Sequence, residues 1–162
     1  VEYFTLPEPY NFGEELIKVP GLDGTGKMGK SEGNGIYLAD EPGELRKKVM
    51  RAVTDAGPRE PNAPMSEPVA NLFYLLELMS EPATVEHFRK AYSDCSIRYG
   101  DLKKQLAEDI MAFTNPIRER INEIYNDDAY LRRVVSMGAE KARESASKTL
   151  RDVREILGYR AF

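Results

Sequence analysis

A mainly α-helical chain with a short, glycine-rich front segment is the fold class that the sequence predicts. Seven of the twelve glycines lie within residues 1–41, and eight acidic and three basic residues make that segment acidic. Residues 42–162 instead repeat apolar residues at steps of three and four, the period of an α-helix. The chain of 162 residues is long enough to bury a core. We therefore predict two parts, 1–41 and 42–162.

For the front part, residues 1–41, the sequence predicts short strands and loops. Leu16-Ile17-Lys18-Val19 is a short strand pattern that ends at Pro20-Gly21. Residues 24–31 follow as a loop that is too rich in glycine to form a helix.

In the second part, residues 42–162, the sequence predicts helices whose first turns carry proline or an N-capping side chain. They begin at Pro42, after Ser66 and at Pro82, and the second and third end near Met79 and Tyr92.

The clearest predicted helix follows Gly100, and its apolar residues step by a mean of about 3.7 residues, close to one helical turn. Pro116 lies inside this run and removes one backbone donor. Because the apolar phase continues through it, one kinked helix is favoured over two helices restarted at Asn115. The stripe consists of Leu102, Leu106, Ile110, Phe113, Ile117, Ile121 and Ile124.

A last helical region is predicted over residues 129–157, with a possible break near Gly138. Its predicted inward stripe contains small residues that would allow close helix packing. The stripe consists of Leu131, Val135, Gly138, Ala142, Ala146, Leu150, Val153 and Leu157.

Composition excludes several classes of site within this chain. The single cysteine, Cys95, excludes an internal disulfide and a Cys-rich metal cage, and the single histidine, His87, excludes a His-pair metal centre. No protein-bound metal is therefore expected. No apolar run approaches the ~18 residues of a membrane span, and a cytoplasmic setting is expected. The net charge of −4 argues against general nucleic-acid binding but leaves room for a local contact surface.

Lys27-Met28-Gly29-Lys30-Ser31 is the stretch most suggestive of chemistry. Two cations and a hydroxyl on a glycine-flanked loop can fold over a polyphosphate. The letters from Gly24 to Ser31 also match the P-loop motif, which requires a helix that starts at the Lys-Ser pair. Glu32-Gly33-Asn34-Gly35 follows at once and disfavours that helix.

The same stretch resembles the KMSKS loop of class I aminoacyl-tRNA synthetases, and the chain resembles the bacterial-type tryptophanyl-tRNA synthetases along nearly its whole length. The resemblance continues in order after the loop. Its motifs are Pro20-Gly21-Leu22-Asp23-Gly24, Ser31-Glu32-Gly33-Asn34, Arg46-Lys47-Lys48-Val49-Met50, Ala52-Val53-Thr54-Asp55, Asn71-Leu72, Tyr99-Gly100-Asp101-Leu102-Lys103, Pro116-Ile117-Arg118-Glu119-Arg120 and Gly138-Ala139-Glu140-Lys141-Ala142-Arg143. Gly29 stands where that family usually has Ser.

The resemblance implies a fold and a set of site residues. Residues 1–41 would be the end of a Rossmann-type catalytic domain, with its last strand and the KMSKS loop, and residues 42–162 a helical bundle that binds the tRNA anticodon. Lys27 and Lys30 would contact the ATP phosphates as catalytic groups. Met28, Gly29 and Ser31 would add phosphate contacts, and the backbone of Ile17 would contact adenine.

The resemblance also implies an activity and partners. Such an enzyme activates tryptophan with ATP, with Mg²⁺ bound to the ATP, and then loads tRNA(Trp); the full-length enzyme would be a homodimer. A HIGH-like motif and a tryptophan pocket are absent from the 162 residues, so a C-terminal fragment that is inactive alone is expected. The alternatives are a tyrosyl-tRNA synthetase fragment, a P-loop nucleotide-binding protein and a non-catalytic helical module. Recognition of anticodon bases would require exposed aromatic or guanidinium groups, and Tyr130, Arg132 and Arg133 are candidates for such contacts.

Overall fold

The computed structural model describes residues 2–10 and 18–159, and regular structure within these residues is helical. The described helices are α1 (Pro42–Met50), α2 (Glu67–Met79), α3 (Pro82–Ser93), α4 (Tyr99–Tyr125) and α5 (Asp128–Ile156). An isolated antiparallel bridge joins Pro20 to Lys27. The prediction of a mainly helical chain is confirmed.

Proline marks the start of three of these helices, and the sequence predicts it for α1 and α3. It occupies the first turn of α1, α2 and α3, where its missing N–H would have no helical partner anyway. Ser66 is the N-cap residue of α2, but its side chain does not cap the helix. The Ser66 hydroxyl instead donates to the Asp55 carboxylate at 2.5 Å.

Helix α4 runs without interruption through Pro116, so the prediction of one helix is confirmed. Its predicted apolar stripe is only half right. Leu106 and Ile110 are buried, but Phe113 is 55% exposed and Ile121 is 37% exposed. The buried face also includes the residues one position further along the chain, which are Lys103, Ala107, Met111 and Thr114.

Contacts group the described residues 18–121 into one compact unit, and this unit holds the hydrophobic core. The core joins α1, α2, α3 and the first half of α4. Its largest fully buried side chains are Phe73, Leu45, Leu76, Leu102, Leu106, Val49 and Val69. These units are defined by contacts between residues and do not test the predicted functional boundary at residue 41, which stays a prediction.

The described residues 2–10 and 122–159 belong to the second unit. Asp127 caps α5 by accepting the Tyr130 N–H at 2.8 Å, and α5 continues unbroken past Gly138. The Tyr3 hydroxyl donates to Asp152 at 2.7 Å. None of the described side chains of α5 is buried, so the prediction of an inward apolar stripe is wrong; Val135, for example, is 67% exposed.

The strand predicted over residues 16–19 is not found where it can be observed. Lys18 and Val19 are not in a strand, while Leu16 and Ile17 lie outside the described residues. Among residues 2–10 and 18–159, no helix has the length and apolar character to cross a membrane. The same residues contain no group of His, Cys, Asp or Glu side chains suited to a metal ion.

Candidate functional site

The lysine-bearing loop is closed at its base by backbone hydrogen bonds. The Met28 N–H donates to the Val19 carbonyl at 2.8 Å, next to the Pro20–Lys27 bridge. The Gly21 N–H donates to the Gly26 carbonyl at 3.2 Å. These bonds fix the backbone of Lys27 and Met28 relative to the residues that precede the loop.

The loop is also attached to the hydrophobic core. Leu22 is buried, and its carbonyl accepts the Val53 N–H at 3.0 Å, just after α1. Gly24 adopts φ +80°, and a Cβ there would lie 2.9 Å from the Pro68 ring. Glycine is therefore required at residue 24 for both its conformation and its close approach to α2.

Lys27 and Lys30 are both exposed. Among the described residues, neither ammonium group has an ion-pair partner, so both charges are available to an external anion. Ser31 is exposed as well, and its hydroxyl donates to Glu32 at 3.2 Å. Ile17, the predicted adenine contact, lies outside the described residues.

The backbone N–H groups of the loop differ in their availability. The Met28 N–H is taken by Val19, and the Gly29 N–H donates to the Asn34 side-chain oxygen at 2.9 Å. Within the described part of the chain, the N–H groups of Lys30 and Ser31 have no acceptor. In this conformation, Lys30 and Ser31 are the positions where a phosphate could meet a free amide.

The residues after Lys30 form a turn rather than a helix. Residues 30–33 are a turn, the Glu32 N–H donates to the Gly29 carbonyl at 3.3 Å, and Gly33 has φ +67°. A P-loop would need a helix that starts at Lys30-Ser31. The P-loop interpretation therefore does not fit the structure.

Sequence reasoning missed the polar residues that support the loop from below. Asn34 is buried, at 7% exposure, and binds the backbone between the two lysines. The Tyr37 hydroxyl donates to the Lys30 carbonyl at 3.4 Å. The Lys48 ammonium lies 4.6 Å from the centre of the Tyr37 ring and 2.6 Å from the Asp40 carboxylate. An Asn after Gly in a loop is typical of an ordinary turn, so the sequence carries no distinctive signal for Asn34.

The three consecutive basic residues of α1, Arg46, Lys47 and Lys48, are largely neutralised by ion pairs. Arg46 pairs with Glu108 at 3.2 Å and Lys47 pairs with Glu44 at 2.6 Å, and Lys48 pairs with Asp40 as described above. This part of α1 is therefore a poor candidate for RNA phosphates.

Helix α5 offers a more accessible basic surface. A shallow groove along the helix is lined by three cations, Lys141, Lys148 and Arg151, and by one carboxylate, Glu144. Near the start of the same helix, the Arg133 guanidinium lies 5.4 Å from the centre of the Tyr130 ring. Arginine stacked on tyrosine is a surface on which an unpaired base can stack.

Comparisons with known proteins agree on one family. The model of the family described as "tRNA synthetases class I (W and Y)" matches residues 3–115. A tryptophan–tRNA ligase of Porphyromonas gingivalis is 61% identical over 160 residues, covering 99% of this chain and 49% of that protein. A tryptophan–tRNA ligase of Clostridium longisporum is 38% identical over 146 residues, covering 90% of this chain and 43% of that protein.

A solved structure is also similar. The tryptophanyl-tRNA synthetase of Campylobacter jejuni, complexed with ADP and tryptophan, superimposes with a TM-score of 0.74 at 29% identity, covering 90% of this chain and 45% of that one. The chain thus spans about half the length of the curated relatives it matches.

Proposed function

The chain belongs to the class I tRNA synthetases for tryptophan and tyrosine, and we propose that it supplies the ATP-phosphate loop and the tRNA-binding helices of a tryptophan–tRNA ligase. The relatives described above are tryptophan–tRNA ligases, which favours tryptophan over tyrosine. Residues 1–41 would belong to the catalytic domain and residues 42–162 to the anticodon-binding domain. A cytoplasmic homodimer is the expected form of the full enzyme.

The observation that carries the proposal is the pair of exposed, unpaired ammonium groups on a loop with a fixed base. When ATP is attacked at its α-phosphate by the tryptophan carboxylate, negative charge grows on the departing pyrophosphate. Lys27 and Lys30 are proposed to stabilise that charge, since cations placed in advance lower the barrier without reorganising. Met28, Gly29 and Ser31 are proposed to shape the phosphate site, and Ile17 to contact adenine. Mg²⁺ would arrive bound to ATP as part of the substrate.

A chimeric enzyme tests the catalytic assignment. The segment of the Porphyromonas gingivalis ligase that aligns with this chain is replaced by this chain, and tryptophan-dependent ATP–pyrophosphate exchange is measured. Lys30→Ala is expected to lower kcat by about 10²–10³-fold, the scale for the loss of one transition-state donor. Lys104→Ala, which removes an exposed lysine of α4, is the matched control and should exchange like the parent. Exchange by Lys30→Ala at the parent rate would refute the assignment.

The isolated 162-residue chain gives a second test. It is expected to show no exchange, because the proposal places the tryptophan pocket outside these residues. Tryptophan-dependent exchange by the purified chain would contradict the proposed division of roles.

The tRNA surface is tested separately on the chimera. Replacement of Lys141, Lys148 and Arg151 by Ala is expected to weaken tRNA(Trp) binding and to flatten the dependence of log Kd on log salt concentration, because fewer counterions are released. Pyrophosphate exchange, which needs no tRNA, should stay at the parent rate. An unchanged salt dependence would exclude this face of α5 from the RNA contact.

A further inference from the structure

Asn34 is one of the few buried polar residues of the described chain, and no role proposed above uses it. Its side chain lies beneath the loop that carries Lys27 and Lys30 and is only 7% exposed. A buried amide is costly unless its donors and acceptor are all satisfied. The partners of Asn34 therefore indicate what it holds in place.

The three partners of the Asn34 amide define its orientation. Its Oδ1 accepts the Gly29 N–H at 2.9 Å, and its Nδ2 donates to the Asp23 carboxylate at 3.0 Å and to the Lys27 carbonyl at 3.3 Å. A backbone N–H can only donate, and an ionised carboxylate can only accept. The reversed amide would thus lose all three bonds, so the position requires both halves of the Asn side chain.

Asp23 keeps this orientation fixed. The Thr25 N–H donates to its other carboxylate oxygen at 3.2 Å. This backbone bond, with a smaller contribution from Asn34, holds the pKa of Asp23 below its ordinary value. The carboxylate therefore stays ionised at neutral pH and remains an acceptor for Asn34.

The backbone leaves space for this amide and for little else. A Cβ on Gly21 would lie 2.3 Å from the Asn34 Nδ2 atom. Any other residue at position 21 would push the amide away from Lys27 and Gly29. Glycine at 21, the carboxylate at 23 and the amide at 34 thus form one arrangement.

Building on the proposed function, we propose that Asn34 is a positioning residue for nucleotide activation. Its carboxamide holds the Lys27 carbonyl and the Gly29 N–H, on either side of Met28, and so sets the backbone from which both ammonium groups extend toward the phosphates. The Asn34 side chain does not itself touch ATP. Its bond to Gly29 also directs the Gly29 N–H toward the interior. The two ammonium groups and the backbone N–H groups of Lys30 and Ser31 then remain available to the phosphates.

The chimera described above provides the test. Asn34→Asp keeps the size of the side chain but places a carboxylate oxygen against Asp23 and the Lys27 carbonyl. We expect kcat for exchange to fall by about 10- to 100-fold, because small displacements of catalytic groups have effects of this order. The KM for tryptophan should stay unchanged. Asn126→Asp, on an exposed amide that donates to the Asn122 carbonyl, is the matched control and should behave like the parent.

A reciprocal variant separates positioning from general stability. When Asp23→Asn is combined with Asn34→Asp, the new amide at position 23 can donate to the new carboxylate at position 34. That carboxylate still provides an acceptor for the Gly29 N–H. It should regain about tenfold in kcat over Asn34→Asp, the scale of one hydrogen bond to a charged group. Thermal unfolding of every variant is recorded, so that the comparison uses folded proteins.

The outcomes are distinct. The positioning role is overturned if Asn34→Asp has the kcat of the parent. It is also overturned if the double variant folds without recovering kcat, or if both variants are unfolded. If Asn34→Asp alone unfolds, the double variant decides: activity supports the role, and inactivity in the folded state overturns it. Loss of exchange in the unmodified chimera, or parent kcat in Lys30→Ala, would instead refute the proposed function.

Discussion

The carboxylate of Asp55 lies at a junction between three segments and provides a quantitative test of how this chain is stabilised. It accepts the Ser66 hydroxyl at the start of α2 at 2.5 Å, the Tyr99 hydroxyl at the start of α4 at 2.7 Å, and the Gly57 N–H at 2.8 Å. Asp55→Ala removes all three bonds at once.

The expected cost follows from these three bonds. A hydrogen bond contributes about 0.5–1.5 kcal/mol net, and more to a charged group in a dry site. Asp55 is exposed, so we use about 0.5–1 kcal/mol for each bond. The free energy of unfolding should therefore fall by about 1.5–3 kcal/mol. Asp55→Asn keeps an acceptor for Tyr99 and Gly57, and should cost less than Asp55→Ala.

The effect should depend on pH in a defined direction. Burial alone would raise the pKa of Asp55, but the hydrogen bonds from Ser66, Tyr99 and the Gly57 N–H outweigh it and leave the pKa below its ordinary value. The stabilisation is thus complete above the ordinary carboxyl pKa and is lost as pH falls through the lowered one. The difference between parent and Asp55→Ala should shrink in acid.

Urea unfolding of the 162-residue chain, followed by circular dichroism, measures these values. A double-mutant cycle with Tyr99→Phe isolates one bond: Tyr99→Phe should cost about 0.5–1 kcal/mol in the parent and close to nothing in Asp55→Ala. Equal costs in both backgrounds, or an unchanged midpoint for Asp55→Ala, would refute the reasoning.

Three further predictions concern glycine and a buried lysine. Gly138→Ala should raise the free energy of unfolding by about 0.5–1 kcal/mol, because Gly138 is inside α5 and a Cβ there meets nothing within 4 Å; a lower urea midpoint would contradict this. Gly24→Ala should destabilise more than Gly26→Ala, since both have positive φ but only Gly24 would also contact Pro68; equal thermal midpoints would argue against that contact. Burial lowers the pKa of Lys103, so its charge reduces stability below the lowered pKa, and stability should rise as pH increases from there to the ordinary lysine value. Lys103→Met should remove that rise, and an identical pH dependence in urea unfolding would show that Lys103 does not cause it.

Helix positions could be predicted because their signals are local. Proline in a first turn and apolar residues at helical spacing act within a few residues of each other. The continuity of α4 through Pro116 followed from the unbroken apolar phase. These features need no knowledge of what each helix packs against.

Burial and the support of the loop could not be predicted, because both depend on distant residues. Lys103 lies within the helix predicted after Gly100, but its burial depends on the Ala52 carbonyl, which accepts its ammonium at 2.7 Å from 51 residues away in sequence. Phe113 and Val135 have the right spacing for a buried face but are exposed. Periodicity identifies a helical face, but it does not identify the neighbour that would cover it. The Asn34 contacts likewise join Asp23 and Gly29 across a turn whose path the sequence does not specify.

The bridge between Pro20 and Lys27 gives the two lysines unequal freedom. Lys27 extends from backbone that is tied to the preceding segment on one side and to Asn34 on the other, whereas Lys30 lies at the start of a turn that ends at Gly33, and its carbonyl accepts the Tyr37 hydroxyl at 3.4 Å. An arriving triphosphate would therefore meet one lysine whose backbone is held on both sides and one whose backbone has a weaker tie. Capture and release of the nucleotide would then involve chiefly the few residues around Lys30, with the helical core left undisturbed.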